Sequence, residues 1–120
     1  MLFRSKTFEV LKRPYWRAEA LSEIAKAQAK AGDAVGAKKS FAKAFEEAEG
    51  VEEKEGYFGN AHNACHVHIV KAMAEAGQEK EAAAWAAGQT ALLLKAQALL
   101  GVAEAILLRQ EAEKRPREKK

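Results

Sequence analysis

The sequence predicts an all-α protein, because alanine is abundant, β-branched residues are scarce and the prolines lie near the ends. Of its 120 residues, 27 are alanine, whereas valine, isoleucine and threonine together number 11. Alanine loses no side-chain entropy in a helix, whereas β-branched side chains lose χ1 freedom there. The only two prolines are Pro14 and Pro116, so the segment between them contains no residue that would break a helix in this way. This length predicts a single domain.

Glycine, proline and polar residues divide the chain into six predicted helices. Gly32 and Gly77 suit a helix C-terminus, because glycine adopts left-handed dihedrals without a Cβ penalty. Asp33 can cap the next helix by accepting hydrogen bonds from its first amides. The predicted helices span approximately 2–12, 15–31, 34–49, 57–76, 79–88 and 91–113. Residues 1–113 are therefore expected to form the domain, and residues 114–120 a disordered basic tail.

Two pairs of similar segments indicate an internal repeat. Residues 17–21 (RAEAL) match residues 95–99 (KAQAL), and residues 29–33 (AKAGD) match residues 74–78 (AEAGQ). This alignment brings Leu21, His66 and Leu99 into register, at spacings of 45 and 33 residues. A helix–turn–helix unit with a period of about 34 residues is the signature of the tetratricopeptide repeat.

The chain resembles the tetratricopeptide family over roughly residues 3–110. The family's second helix carries alanine, an aromatic residue and alanine, which Ala37, Phe41 and Ala44 match. On this resemblance, the second repeat is expected to be degenerate and the chain to begin in mid-repeat. The resemblance implies antiparallel helix pairs stacked as a short right-handed superhelix, and a plain helical bundle is the alternative. The implied packing positions of the first-type helices are Leu21, Ile24, Ala25 and Gln28, then His66, Ile69, Val70 and Met73, then Leu99, Val102, Ala103 and Ile106.

The resemblance also implies a groove that binds a peptide or protein partner, lined by the first helix of each repeat. The implied groove positions are Glu19, Ser22, Lys26, Ala29 and Lys30, then Ala64, Val67, Lys71 and Ala74, then Gln97, Leu100, Glu104 and Leu107. The set of Lys, Asn and Arg residues that clamps a terminal carboxylate in chaperone-binding members is missing. A role in binding chaperone tails is therefore not supported.

The charge distribution argues against nucleic acid and membranes as partners. The formal net charge is +3, and residues 109–120 alone hold six bases and three acids, so the body of the chain is balanced. Nucleic-acid binding would require a basic face on the folded part. The longest apolar stretch, residues 91–108, is interrupted by Lys95, Gln97 and Glu104, which makes it too polar for a membrane span. The start of the chain lacks the apolar core of a signal peptide, so a soluble, cytoplasmic protein is expected.

The titratable residues do not form a recognisable catalytic set, so an enzyme is not predicted. Asp33 is the only aspartate, and its position after Gly32 suits a helix cap. No glycine-rich loop follows a predicted strand, so no phosphate-binding loop is indicated. No cofactor is expected.

One cluster of residues could bind a metal ion. His62, Cys65, His66 and His68 fall within seven residues, and the first three share a helix face, since His66 lies about 40° from His62. Such residues can chelate zinc or copper, although a full site would require a second chain or a distant glutamate. The favoured interpretation is that His66 and Cys65 pack against neighbouring helices, and a metal-binding helical protein is the alternative function.

The last predicted helix carries a second row of apolar residues, which we call the leucine stripe: Leu93, Leu100 and Leu107, spaced every seven residues. A helix that is apolar nearly all round is normally buried. Either Trp16, Trp85 or the N-terminal helix folds over it, or the stripe joins two copies of the chain. The sequence therefore predicts a protein-interaction module that forms a homodimer or larger homo-oligomer through its C-terminal helix.

Overall fold

The computed structural model describes residues 13–51 and 61–114. This part of the chain forms five α-helices and no strand, which confirms the all-α prediction. The helices are α1 (Pro14–Lys30), α2 (Ala34–Glu49), α3 (Ala61–Glu75), α4 (Glu79–Ala87) and α5 (Leu92–Lys114). The predicted helix over residues 2–12 and the predicted tail beyond Lys114 lie outside the described residues, as do residues 57–60 of the fourth predicted helix.

The turns after α1 and α3 have the same conformation, as their matching sequences predict. Gly32 and Gly77 adopt φ angles of +89° and +92°, the left-handed region that glycine tolerates best. In each turn, the amide after the glycine donates to a carbonyl five residues earlier, the 6→1 bond of a Schellman motif. These bonds run from Asp33 to Gln28 (2.9 Å) and from Gln78 to Met73 (2.8 Å).

The two turns differ in how the following helix is capped. The Asp33 carboxylate accepts a hydrogen bond from the Gly36 amide at 2.9 Å, which confirms the predicted cap of α2. Gln78 makes no such side-chain bond at the start of α4.

α3 lies at the centre of the described helices. It packs against all four of the others, while α1 also packs against α2, and α4 against α5. The core is rich in alanine, which lets the helix backbones approach closely, and its largest fully buried apolar side chains include Phe41, Ile69 and Val70. The buried residues that the helices contribute to it include Ala18 and Ala25, Ala37 and Ala44, Ala72 and Ala74, Ala82 and Ala86, and Ala98 and Ala105.

The packing prediction for α5 is partly wrong. Val102 is buried and Ile106 is half-buried, but Leu99 and Ala103 are exposed. The buried residues of α5 share a different face, which consists of Leu94, Ala98, Gly101, Val102 and Ala105. Small side chains on that face allow α3 and α4 to approach, so the helix is rotated relative to the predicted register. Ile24 of α1 is likewise exposed rather than packed.

The leucine stripe is exposed in the described chain. Leu93, Leu100 and Leu107 are 64%, 64% and 58% exposed. Trp85 stacks on Phe45 instead, and Trp16 is itself exposed. The N-terminal helix, the other proposed cover, lies outside the described residues.

Within the described residues, no helix combines the length and the apolarity needed to cross a lipid bilayer.

Candidate functional site

A groove runs between α1, α3 and α5 and encloses about 520 Å³. Six of its lining residues are predicted groove positions: Ala64, Val67, Lys71, Gln97, Leu100 and Glu104. The lining also includes Tyr15, Asn63, His68, Leu93 and Gly101. The sequence register therefore identified the α3 and α5 walls, whereas it missed Tyr15 and His68 because they fall outside the family's groove positions.

Gly101 brings α5 close to α3 at the floor of the groove. A Cβ atom at this position would lie 3.3 Å from Val67 Cγ1 and 3.8 Å from Lys71 Cβ. The first distance is tighter than an ordinary van der Waals contact, so only a residue without a side chain fits here without adjustment. The apolar side chains of Val67, Leu93 and Leu100 line the groove here, and we call them its apolar floor.

Both signs of charge border this floor. Lys71 Nζ lies 3.7 Å from Glu104 Oε1, which links the α3 and α5 walls. His68 also lines the groove, and its ring lies 3.8 Å from Glu19 and 3.6 Å from Glu23 of α1. His68 Nε2 is buried, and no hydrogen-bond partner for it occurs among the described residues.

Tyr15 forms the α1 end of the groove. Burial raises the pKa of its hydroxyl above the ordinary value, and the nearby Glu19 and Cys65 raise it further. The phenol is therefore neutral over the physiological range and can donate a hydrogen bond to a bound ligand.

A second cavity of about 570 Å³ is lined in part by Lys26, Lys30 and Ala29 of the predicted set. Lys26 Nζ lies 3.2 Å from Glu23 and 3.3 Å from Glu75. Burial alone would lower the pKa of Lys26, but the hydrogen bonds and attraction from these two carboxylates outweigh it and raise the pKa. Lys26 is thus held as a cation that joins α1 to α3.

Arg109 closes the same cavity from α5. Its guanidinium pairs with Glu79 and donates to the Ala74 carbonyl at 3.3 Å. The charged residues of this cavity therefore connect neighbouring helices, which favours a structural role for them.

The remaining predicted groove residues lie elsewhere. Ser22 is fully buried and donates to the Ala18 carbonyl at 3.0 Å, so it faces the helix interface rather than a ligand. Ala74 is buried too, and Leu107 is exposed beyond the groove. Glu19 contributes through its contact with His68.

A second cluster lies where the end of α2 meets the start of α3. Glu49, His62 and His66 each offer one potential metal-ligand atom within 4.8 Å of the other two. Glu49 Oε2 lies 3.0 Å from His66 Nε2. Cys65, a ligand candidate from the sequence, is not in this group and is buried in the core. Glu49 supplies the distant glutamate that a full site would require, and sequence spacing could not identify it because it comes from another helix.

His66 also packs as an aromatic residue, as its register with Leu21 and Leu99 predicts. It is 2% exposed, and its ring stacks on Trp85 with centroids 5.4 Å apart and an interplanar angle of 11°. Phe45 stacks on the same Trp85 at 5.3 Å. This stack fixes the His66 ring between α2, α3 and α4.

Comparisons with models of known families, with curated proteins and with solved structures find no match for this chain. Membership of the tetratricopeptide family therefore stays a prediction.

Proposed function

We propose that this protein is an interaction module that binds an amphipathic helix of a protein partner in the groove between α1, α3 and α5. The observation that carries the proposal is the apolar floor of Val67, Leu93 and Leu100, bordered by the charged pair Lys71 and Glu104. A floor of this kind buries the apolar face of a ligand helix, while the border fixes its orientation through polar contacts.

The order in which the helices pack supports a tetratricopeptide-like superhelix. α1, α3 and α5 are alternate helices of the chain, and α3 packs against both α1 and α5. In the family that the sequence resembles, the first helices of successive repeats line the ligand groove in this way. The same alternation supports the assignment of α1, α3 and α5 as first helices.

A helix suits the groove because its apolar floor is itself spaced at helical intervals. Leu93 and Leu100 are seven residues apart on α5, which is two helical turns. A ligand helix lying along α5 could place an apolar residue against each leucine.

Self-association through α5 is the second part of the proposal. The leucine stripe is exposed over its whole length, and its seven-residue spacing suits a seam between two helices. A closed two-fold contact between two copies would bury the stripe of each without producing filaments.

The groove can be tested with peptides selected on the unmutated protein from a displayed library of amphipathic helices. We expect selected peptides to bind Val67→Arg at least about tenfold more weakly, because a cation would occupy the apolar floor. Val35→Arg is the matched control, since Val35 is exposed on α2 and away from the groove. Fluorescence anisotropy measures the affinities, and circular dichroism checks that both variants stay helical. Equal binding to Val67→Arg and Val35→Arg, or no selectable peptide, would contradict the proposal.

A further inference from the structure

We propose that Glu49, His62 and His66 form a binding site for a divalent transition-metal ion, with zinc as the best-suited ion. The site would join the last residue of α2 to the first turns of α3. It does not rest on the proposed groove, which lies between other helix faces.

The hydrogen bonds of the two histidines leave one nitrogen of each ring available for a metal. His62 Nδ1 lies 2.9 Å from the Val51 carbonyl, and His66 Nδ1 lies 2.8 Å from the His62 carbonyl. A carbonyl oxygen is an acceptor, so each Nδ1 must carry a proton and donate it. In the neutral rings, Nε2 therefore bears the lone pair. Histidines that bind metals through Nε2 are oriented in this same way, by an Nδ1–H bond to a backbone carbonyl.

The contact between His66 and Glu49 requires a cation. With Nδ1 donating, the lone pair of neutral His66 Nε2 faces the Glu49 carboxylate at 3.0 Å, which is repulsive. Either a proton on Nε2 or a metal ion shared by the two groups removes the repulsion. Two ligands of a tetrahedral zinc ion lie about 3.3 Å apart, close to the separation observed here.

The position of His62 favours the metal ion over the proton. A proton would need only His66 and Glu49, yet His62 also brings a ligand atom within 4.8 Å of both. Its ring lies 4.4 Å from that of His66, centroid to centroid. A proton shared by His66 and Glu49 makes no use of the His62 ring, whereas a metal ion takes His62 as a third ligand.

The surroundings of the three residues divide the site into a fixed and an adjustable part. His66 is held by its stack on Trp85, while Glu49 is largely exposed and can move to meet an ion. Two imidazoles and a carboxylate suit zinc. Three protein ligands of a tetrahedral ion leave one coordination position for water or an added ligand.

Zinc chloride added to chelator-treated protein tests the proposal by isothermal titration calorimetry. We expect saturable binding of one zinc ion per chain. Glu49→Gln and His62→Gln should each weaken it by about tenfold or more, because each removes a ligand. Neither change alters the stacked His66 ring, so both variants should stay folded, as circular dichroism would verify. His68→Gln is the matched control and should bind zinc as the unmutated chain does, since His68 faces α1 instead.

Three results would overturn the site: no saturable zinc binding, undiminished binding by His62→Gln, or an equal loss in His68→Gln. The first result would leave a proton-bridged pair of His66 and Glu49, and the second would mean that zinc binds without His62. The third would indicate nonspecific binding by surface histidines.

Cobalt substitution distinguishes this ligand set from the one that includes Cys65. A cobalt-loaded protein should show the visible bands of a nitrogen- and oxygen-ligated ion without a thiolate-to-cobalt charge-transfer band. A charge-transfer band that disappears in Cys65→Ala would overturn the assignment of Glu49 as the third ligand.

Discussion

α3 and α5 have similar apolar content, yet they have opposite environments. α3 is surrounded by the four other described helices, and its Ile69 and Val70 are fully buried. Of the described helices, only α3 and α4 pack against α5, and most of the leucines of α5 are exposed. The comparison shows that the burial of a helix depends on how many neighbouring helices pack against it as well as on its composition.

The largest expected difference between these helices is the cost of truncating an apolar side chain. Ile69→Ala should lower the free energy of unfolding by about 2–5 kcal/mol, because it leaves a cavity in the core. Leu100→Ala removes a similar volume from an exposed position and should change stability by less than about 0.5 kcal/mol. Urea unfolding at low protein concentration measures both values for the monomer. A large loss in Leu100→Ala under those conditions would show that its side chain is covered within one chain.

A smaller effect per side chain is expected where a second copy covers α5. Unmutated protein at tens of micromolar should scatter light as a homodimer or larger assembly, because burying each leucine of the stripe contributes roughly 1.5–3 kcal/mol. Leu100→Glu would place a charge in the seam and should give a helical monomer of 13.1 kDa. Val35→Glu, on the exposed surface of α2, should leave the assembly intact. An unmutated chain that is already monomeric would end the self-association proposal.

The smallest expected effect tests how closely α5 approaches α3. Gly101→Ala improves helix propensity by up to about 1 kcal/mol but crowds Val67, so its net change should be small. Val67→Ala removes the crowded methyl groups, and Gly101→Ala should then stabilise the Val67→Ala background by more than it does the unmutated chain. A double-mutant cycle by thermal unfolding measures the difference. Strict additivity would mean that the two helices have room to separate.

The fold was predictable where the signal is local. The Gly32 and Gly77 turns, the Asp33 cap and the helical class follow from dihedral preferences and entropy, which act within a few residues. The rotation of α5 was not predictable in this way. Leu99 was expected to pack because it aligns with Leu21, but alignment cannot show which neighbouring helices are present to cover it.

The candidate sites were likewise predictable where their residues share one helix, and not where they depend on contacts between helices. Val67, Lys71 and Leu100 were placed in the groove by register, since residues on one helix face keep their relation after folding. Ser22 was assigned to that face wrongly. Its hydroxyl donates a hydrogen bond to a carbonyl of the preceding turn, which allows the side chain to be buried. Glu49 was missed since its contact with His66 spans 17 residues and depends on how α2 meets α3.

Leu93 and Leu100 belong both to the groove and to the leucine stripe. If both proposed contacts form, a second copy seated on α5 and a ligand helix in the groove would compete for the same two side chains. The apparent affinity for a partner would then fall as the protein's own concentration rises, and a tightly bound partner would dissociate the homodimer. Thermodynamic linkage makes these two effects equal in free energy. A pair of shared leucines would thereby make the abundance of the chain a regulator of its own binding.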